Sequence, residues 1–228
     1  MESFLVFTQI QILGCLLLPV GRYDYGVQNN PVKILSTADV DQSARIGPGS
    51  HVWHLAQVRD GAVIGSNCNI GRGAYIGPSV RLGDNCKIQN YALIYEPAVL
   101  ADGVFIGPGA ILTNDQYPRA VNVDGVVKSS SDWDAVGVEI SEGASIGAGA
   151  ICIAPVKIGA WALVAAGAVV KEDVPDFALV AGVPARRIRW VGRAGIPLIK
   201  IGDDLFQCSI TGTLYRESSP DQLVEESQ

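Results

Sequence analysis

The sequence has few aromatic side chains and fewer basic than acidic residues. Aromatic residues make up 7% of the 228 positions, and there are two histidines and one methionine. Together with 26 glycines, this composition argues against an ordinary core of layered helices and sheets. The net charge is −6, which argues against nucleic acid as a partner of the whole chain. An anionic ligand would therefore need a local basic patch.

Cysteine motifs are also missing. The five cysteines are an odd number and none of them forms a CxxC motif, which argues against a disulfide framework and against a zinc site. Such a composition fits a reducing compartment, so we expect a cytoplasmic protein. No metal site is predicted.

The first segment, "MESFLVFTQIQILGCLLLPVG", is apolar but lacks the charge pattern of an export signal. No Lys or Arg precedes the apolar run, and Glu2 has the wrong sign for a signal peptide. Thr8, Gln9 and Gln11 interrupt a run that is marginal in length for a membrane span. We therefore expect no stable membrane insertion and interpret residues 1–31 as an N-terminal extension of unknown role.

A repeat of six residues dominates the rest of the chain. An aliphatic residue recurs every sixth position from Ile34 to Leu112, and the pattern resumes from Ile140 to Val170. A small residue, usually Ala, falls two positions before most of these aliphatic residues. Turn-forming pairs such as Pro48-Gly49 fill the remaining positions. This spacing matches neither a helix nor a plain alternating strand.

The repeat predicts a triangular prism. The small residue and the following aliphatic residue are two apart, so both point inward on one short strand, and the turn pair bends the chain at a corner. Three strands return the chain to its starting face. The predicted fold is all-β, a single-stranded parallel β-helix with an 18-residue coil, nearly seven coils and a height of roughly 30 Å. Cys68 and Cys86, one coil apart, are expected to stack as small core residues.

Residues 113–139 interrupt the repeat, and the pattern ends near residue 175. A long loop in an unbroken solenoid is either a functional insertion or a disordered spacer, and its Asp, Arg, Tyr and Trp residues favour function. We therefore divide the chain into the extension 1–31, a β-helix domain 32–175 with the inserted loop 113–139, and a C-terminal segment and tail 176–228. The tail is expected to cap or flank the end of the prism.

Turn residues 18 positions apart should share a corner, and two corners contain unusual residues. His54-Leu55 and Asn90-Tyr91 are poor turn pairs in one column, and Glu96 and Asn114 lie one coil apart in a second. Positions that break a local rule are the expected places for function. Purely structural roles for these residues remain open. Asn is a good turn residue, His54 could lie at an oligomer interface, and Glu96 could be an ordinary exposed turn residue.

Several segments resemble a known enzyme family. The repeat, the loop and the closing "DVPDFALVAGVPARRIRW" resemble the left-handed β-helix acyltransferases that use acetyl-CoA. The segments "VWHLAQV", "GDNCKIQNYALIYEPAVLADGVFIGPGAILTNDQYPRA" and "VGVEISEGASIGAGAICIAPVKIG" resemble the nucleotide-sugar 3-N-acetyltransferases. The closest type acetylates the 3-amino group of a UDP-linked diaminoglucuronic acid for surface polysaccharide synthesis. Left-handedness is adopted from this resemblance.

The resemblance implies a homotrimer with acetyl-CoA as co-substrate in the groove between neighbouring prisms. It implies that the pantetheine arm lies near Ala148 and Ala166 and that the phosphates lie near Lys171, Arg186 and Arg187. The basic run "ARRIRWVGR" would supply the cationic patch that this acidic chain otherwise lacks. The sequence also departs from the family, since Tyr91 stands where a second Asn is common and the tail contains Cys208 without further cysteines.

Acetyl transfer to an amine requires a free nitrogen, its placement against a thioester, and donors for the developing oxyanion. His54, Glu96 and Asp115 are candidate bases, and the departing thiolate is an alternative proton acceptor. We therefore hypothesise that the protein promotes acetyl transfer mainly by positioning the two reactants, and less by general base catalysis. Asn90 orients the amine of a nucleotide-sugar substrate, with Glu96 and His54 as further catalytic candidates. The substrate-binding candidates are Tyr91, Asn114, Asp115 and Arg119.

Two rival kinds of function are weighed against this hypothesis. A metal-dependent hydratase occurs on the same kind of prism but needs several histidine ligands, which His51 and His54 cannot supply. A non-catalytic trimeric scaffold is the other, since repeats make good binding platforms. Within the enzyme class, the acceptor could instead be another amine or an alcohol.

Overall fold

The computed structural model describes residues 31–129 and 131–226. The interpretation of residues 1–30 as an extension lies outside the described residues. Within the described parts of the chain, all regular elements are β-strands, numbered β1 to β26 along the chain. The predicted all-β parallel β-helix is confirmed, with about eight coils.

Three parallel sheets form the faces of the prism. Face A contains β1 (Lys33–Ile34), β4 (His51–Val52), β7 (Asn69–Ile70), β10 (Lys87–Ile88), β13 (Phe105–Ile106), β16 (Ser145–Ile146), β19 (Leu163–Val164) and β21 (Ala178–Gly182), with β22 (Ala185–Trp190) antiparallel at its end. Face B contains β2 (Asp39–Val40), β5 (Gln57–Val58), β8 (Tyr75–Ile76), β11 (Leu93–Ile94), β14 (Ile111–Leu112), β17 (Ile151–Cys152) and β20 (Val169–Val170). Face C contains β3 (Arg45–Ile46), β6 (Val63–Ile64), β9 (Arg81–Leu82), β12 (Val99–Leu100), β15 (Val138–Ile140) and β18 (Val156–Ile158).

Each strand pairs with the strand one coil away, in register. Ile88, for example, pairs with Ile70 on one side and Ile106 on the other, and all three are fully buried. The small residues before the strands, such as Ala92 and Ala110, are also fully buried. Burial of one aliphatic side chain contributes about 1.5–3 kcal/mol, so the repeated inward columns supply the stability that two-residue strands lack. Cys68 and Cys86 are buried free thiols, as predicted.

Face A contains one parallel strand, β21, more than the repeat count predicts. Val180 in β21 pairs in parallel with Val164, so the last coil continues past residue 175. This coil is shorter than the others, and a strict six-residue count therefore ends before it.

The long insertion leaves face B after Leu112 and rejoins face C at Val138. The two ends are tied by a hydrogen bond from the Val136 N–H to the Asn114 carbonyl, 3.2 Å. Between them, Val121 and Val127 form an isolated antiparallel bridge. The insertion is therefore a hairpin-like arm with several exposed apolar side chains.

A small antiparallel sheet covers the C-terminal end of the prism. Its strands are β23 (Ile199–Lys200), β24 (Leu205–Gln207), β25 (Leu214–Ser219) and β26 (Gln222–Glu225). The buried Tyr215 ring packs edge-on against Phe177, with ring centroids 5.4 Å apart. The Trp190 indole donates to Glu217 at 3.0 Å. The sheet therefore buries apolar groups that an open last coil would expose.

No helix among residues 31–129 and 131–226 is both long and apolar enough to cross a membrane.

Candidate functional site

The corner between faces A and B, here called the first corner, is a continuous column of turns. Backbone N–H groups donate to the carbonyl one coil earlier along its whole length: Tyr91 to Arg72 at 2.9 Å, Gly109 to Asn90 at 3.0 Å, Gly149 to Pro108 at 2.9 Å and Gly167 to Ala148 at 2.9 Å. His54, Asn90, Ala148 and Ala166 are therefore brought into one column, although the insertion separates them in sequence. At about 4.8 Å per coil, Asn90 and Ala148 are roughly 10 Å apart.

Asn90 has a structural role as well as a free donor. Its Oδ1 accepts the Arg72 backbone N–H at 2.9 Å. Asp84 and Asp102 accept a backbone N–H one coil earlier in the same way, both at 2.7 Å, at the corner between faces C and A. The Asn90 side-chain NH₂ has no hydrogen-bond partner among the described residues. Because the residue is exposed, it offers that NH₂ group to a ligand at the prism surface.

His54 lies two coils before Asn90 in the same column. Its Nδ1 is 2.8 Å from the Thr37 hydroxyl oxygen, which fixes the ring. The other nitrogen, Nε2, therefore remains available on this exposed residue.

A cavity of about 330 Å³ opens beside this column, lined by Trp53, His54, Asn69, Gly71, Arg72 and Asn90. The Trp53 indole N–H donates to Asn69 Oδ1 at 2.6 Å, so the ring is held in one orientation. Trp53 and Asn69 were not among the predicted site residues. The sequence did contain a signal, because Trp53 occupies the position that is Gly71 and Gly107 in later coils.

The contacts of Tyr91 give one reason why an aromatic residue occupies this turn. Its backbone φ is 59°, a region that costs roughly 1 kcal/mol or more for an L-residue other than glycine. The ring lies over Gly73, where an added Cβ would be 2.5 Å from a ring carbon. The hydroxyl oxygen accepts the Arg72 Nε–H at 3.2 Å. Tyr91 therefore holds the Arg72 guanidinium against the first corner.

Glu96, at the corner between faces B and C (the second corner), has a buried oxygen without a partner. In the described structure, Oε2 accepts no hydrogen bond. It lies over Gly77 much as the Asp84 oxygen lies over Gly65. The residue after Gly77 is Pro78, which has no N–H to donate. A carboxylate oxygen is thus held in place with no donor from the protein.

Tyr75 and Tyr95 lie near Glu96 on face B, with ring centroids 5.1 Å apart. Burial, and after it the negative charge of Glu96, raises the pKa of Tyr75 above its usual value. The Glu96 carboxylate therefore stands in a partly desolvated aromatic environment.

The other predicted substrate residues lie at the second corner or on the arm. Asp115 accepts the Tyr117 backbone N–H at 2.8 Å, and Arg119 donates to the Pro118 carbonyl at 3.0 Å. Asp115 and Arg119 make no ion pair with each other among the described residues. Face B separates Asn90 from Glu96 and Asn114, so a single prism does not bring the two sets of residues together.

The predicted cofactor cations have carboxylates beside them. Lys171 and Arg186 both approach Glu172, at 3.6 Å and 3.3 Å. The Arg187 guanidinium lies 4.1 Å from the Trp190 ring and 3.9 Å from Glu217. These pairs are exposed or half-exposed, and such pairs are weak. Lys171 and Arg186 are thus close together, whereas Arg187 is part of the contact with the C-terminal sheet.

The described residues contain no group of three or more His, Cys, Asp or Glu side chains placed to hold a metal ion.

Comparison with known proteins identifies the repeats. A model for "Bacterial transferase hexapeptide (six repeats)" matches residues 43–78 and 79–114. A model for "Hexapeptide repeat of succinyl-transferase" matches residues 136–172. These segments cover most of the prism described above. The repeats of the prism are therefore similar to the hexapeptide repeats of bacterial transferases.

Curated relatives share these repeats. The chain is 36% identical over 136 residues to the bifunctional protein GlmU of Brevibacillus brevis, covering 60% of this chain and 26% of the relative. It is 36% identical over 87 residues to serine acetyltransferase of Haemophilus influenzae, covering 38% and 32%. The chain thus spans about a third or less of the length of these relatives.

Solved structures give weaker likenesses. PerB from Caulobacter crescentus, determined with CoA and GDP-perosamine, is 28% identical, with 70% of this chain and 58% of that chain covered and a TM-score of 0.45. The acetyltransferase domain of PglB from Neisseria gonorrhoeae, determined with acetyl coenzyme A, is 27% identical with the same coverage and a TM-score of 0.46. At TM-scores this low, neither likeness carries weight for function.

Proposed function

We propose that the protein is an acetyl-CoA-dependent N-acetyltransferase that acts on the amino group of a nucleotide-linked amino sugar. The resemblance points to a UDP-3-amino sugar for surface polysaccharide synthesis in the cytoplasm. The observation that carries the proposal is the first corner, which aligns the free amide donor of Asn90 with the exposed small residues Ala148 and Ala166. The transferase repeats and the acetyltransferase relatives support the same class.

The reaction requires little from the protein beyond placement. The amine nitrogen attacks the thioester carbonyl carbon, the carbon–nitrogen bond forms, and the carbon–sulfur bond breaks. The departing thiolate takes the proton that the nitrogen loses, which leaves an amide and free CoA thiol. A positioned pair of reactants accounts for a large part of the rate in such a step.

The geometry refines the role of Asn90. Its Oδ1 is already bound by the Arg72 N–H, so its NH₂ group is the part directed to a ligand. An N–H donor suits the thioester oxygen, which gains negative charge in the transition state. We therefore propose that Asn90 stabilises this oxygen, while the acceptor amine is placed by other groups. Glu96 is the strongest of these, because its buried oxygen lacks a donor and buried polar groups are normally hydrogen-bonded.

Face B supports a homotrimer. From β8 onward its outward side chains form an apolar ladder of half-buried residues: Tyr75, Leu93, Ile111, Ile151 and Val169. The two strands before β8 present Asp39 and Gln57 instead. The outward side chains of face C are instead largely charged: Arg45, Arg81, Glu139 and Lys157, with Val63 and Val99 among them. An exposed apolar surface next to a polar one is typical of an interface, and hexapeptide prisms suit a closed ring of three copies.

Packing of face B around a threefold axis would complete the site. Face B lies between the first and second corners, so the first corner of one protomer would meet the second corner of its neighbour. That arrangement would bring Glu96, Asn114 and the arm with Asp115 and Arg119 to the Asn90 of another copy. The separation of the two residue sets within one prism is then a consequence of a shared site.

The test is to incubate the protein with acetyl-CoA and a panel of UDP-, GDP- and dTDP-linked amino sugars and to follow thiol release. We expect thiol release with at least one amino sugar, together with a mass increase of one acetyl group in the product. The matching hydroxy-sugar nucleotides are the control. Release with hydroxy sugars would indicate an O-acyltransferase, and silence across the panel with no acetyl-CoA binding would indicate a scaffold.

A further inference from the structure

The cavity beside the first corner combines three features of a nucleotide site. It contains an exposed aromatic face, a guanidinium whose two terminal nitrogens have no hydrogen-bond partner among the described residues, and an amide next to the ring. None of the predicted cofactor residues lies in it. A cavity of about 330 Å³ is at the small end of ligand sites, which fits part of a ligand better than a whole one.

Trp53 supplies the aromatic face. Its side chain is 39% exposed, although large rings are usually buried. The hydrogen bond to Asn69 holds the indole in place, so little conformational freedom is lost when a ligand stacks on it. The Asn69 NH₂ group remains beside the ring and can donate to the edge of a stacked base.

Arg72 supplies the charge. Among the described residues, no carboxylate lies within ion-pair distance of it, whereas Arg59, Arg186 and Arg216 each have one. The Tyr91 hydroxyl binds Nε and leaves the two terminal nitrogens free. Two parallel N–H groups of a guanidinium match two oxygens of a phosphate. The strained turn at Tyr91 therefore has a use, because it presents Arg72 for anion binding.

We propose that this cavity binds the nucleoside diphosphate part of the acceptor, with the base stacked on Trp53 and a phosphate on Arg72. The inference rests on the proposed function. The order along the first corner indicates whether the nucleotide belongs to the acceptor or to acetyl-CoA. Asn90 lines the cavity at its C-terminal edge, and Ala148 and Ala166 follow it further along the column. The acceptor thus approaches Asn90 from the N-terminal coils and acetyl-CoA from the C-terminal coils. Tyr91 is a positioning residue that acts through Arg72.

The experiment measures binding of UDP, GDP, dTDP and 3′,5′-ADP to the full chain by isothermal titration calorimetry, without acetyl-CoA. We expect one sugar-carrier nucleotide to bind more tightly than 3′,5′-ADP. Arg72→Ala should weaken its affinity by about 10–100-fold and Trp53→Ala by about 5–100-fold. Tyr91→Phe, which keeps the ring over Gly73, should weaken it by about 3–10-fold. Arg81→Ala, a surface arginine on face C, is the matched control and should leave the affinity unchanged.

Kinetics separate this site from the reacting centre. If an amino-sugar nucleotide is acetylated, Arg72→Ala should raise its KM while kcat stays within about threefold, because the contact is made equally in ground and transition states. If Arg72→Ala does not fold, Arg72→Lys replaces it, since lysine keeps the charge but lacks the paired donors.

The proposal is overturned if Arg72→Ala and Trp53→Ala bind the nucleotides like the parent protein, or if 3′,5′-ADP is the nucleotide that these residues bind. Acetyl transfer with unchanged KM in these variants would refute the cavity and leave the acetyltransferase standing. Nucleotide binding that depends on Arg72, without any acetyl transfer, would support the cavity and refute the proposed function.

Discussion

At the scale of single residues, several corners of the prism share one arrangement. A side-chain oxygen lies over a glycine of the preceding coil and accepts the N–H beside it, as Asp84 does with Ser66 at 2.7 Å. Asn90 shares this arrangement and keeps an unused NH₂ group. Glu96 occupies the same kind of place but faces Pro78. Asn90 thus differs from the aspartates at these corners by a free NH₂ donor, and Glu96 differs from them by a free carboxylate acceptor.

Asn90→Asp separates the structural role of Asn90 from its proposed catalytic role. Aspartate can accept the Arg72 backbone N–H, just as Asp84 and Asp102 accept other backbone N–H groups at the corner between faces C and A, here called the third corner. We therefore expect normal folding. The loss of the NH₂ donor should lower kcat by about 100–1000-fold, the usual cost of one oxyanion donor. Steady-state acetyl transfer and thermal melting together check this prediction.

Asp84→Asn is the matched control for that variant. It makes the reverse exchange at a corner of the same geometry and should change neither kcat nor melting temperature. If Asn90→Asp retains full activity, the NH₂ group has no catalytic role.

Pro78→Ala should give the Glu96 carboxylate the N–H that it lacks. An unpaired buried polar group costs about 1–3 kcal/mol, and the loss of proline rigidity costs about 0.4–1 kcal/mol. We therefore expect the free energy of unfolding to rise by about 1 kcal/mol, while acetyl transfer falls because the carboxylate is now occupied. Urea unfolding and turnover measure the two effects.

Pro48→Ala, at the third corner, controls for the change in chain rigidity alone and should be slightly destabilising. A Pro78→Ala variant that is less stable than the parent by the same amount as Pro48→Ala would contradict this account of Glu96.

At the scale of elements, two-residue strands are too short to be stable in isolation. They persist because each inward side chain stacks on its counterparts in the coils above and below, as Ile88 does on Ile70 and Ile106. The turns limit how closely the coils can approach, and glycine is required where a neighbouring ring fills the space.

Gly73→Ala tests this limit. Gly73 has a φ of 63°, and an added Cβ would lie 2.5 Å from the Tyr91 ring. Gly109 has a φ of 67° in the same column, with nothing within 4 Å of an added Cβ. We expect Gly109→Ala to destabilise the fold by roughly 1 kcal/mol through backbone strain, and Gly73→Ala by roughly 2–3 kcal/mol because the ring must also move.

Chemical denaturation of both variants gives the comparison. Equal losses would show that the Tyr91 ring is not held over Gly73.

Cys152 makes the stability of the inward column depend on pH. Burial raises the pKa of its thiol to about 12, whereas an unfolded thiol ionises near the usual value of about 8.5. The folded state therefore holds its proton more tightly, so this contribution is complete below about pH 8.5 and is lost progressively as the pH rises towards 12. Cys152→Val should flatten this alkaline decrease in unfolding free energy.

Valine is a fair substitute because Val170 occupies the same position one coil later. The measurement is urea unfolding of both proteins between pH 8 and pH 11. Parallel curves for the two proteins would show that Cys152 does not contribute.

At the scale of the whole molecule, the three faces of the prism differ in what they present to solvent. Face B presents an apolar ladder on its outer side, and face C presents mainly charged side chains. An apolar outer face does not stabilise an isolated prism, and exposed apolar surfaces of this kind favour association. This difference is the reason that face B is the proposed trimer interface.

Ile111→Arg should dissociate the proposed trimer. A charge in the middle of a buried apolar interface costs several kcal/mol unless it is paired, so we expect monomers in sedimentation velocity and loss of acetyl transfer. Activity should be lost even though Ile111 is at neither corner, because the proposed site needs residues from two copies.

Val99→Arg, on face C, is the matched control and should leave both assembly and activity intact. A monomeric Ile111→Arg variant with full turnover would show that one prism contains the whole site.

Much of this molecule was predictable because its core is periodic. Inward positions such as Ile88 and Ala92 repeat every six residues, and the physical constraint on each is the same narrow interior. The corner columns through Asn90 and Glu96 followed from the 18-residue coil. The last coil was missed since its spacing is shorter, and Trp53 and Asn69 were missed because they lie on a face and not at a turn.

The sequence by itself determined the prism, its buried columns and the two corners where the turn chemistry is unusual. The tertiary structure decided which groups at those corners remain free. It placed Ala148 and Ala166 under Asn90 across the insertion, directed Asn90 Oδ1 to Arg72, fixed Arg72 with Tyr91, and left Glu96 without a donor over Pro78. The physical reason is that these are hydrogen bonds between coils. Their partners are set by how the coils stack, whereas periodicity specifies only that the coils exist.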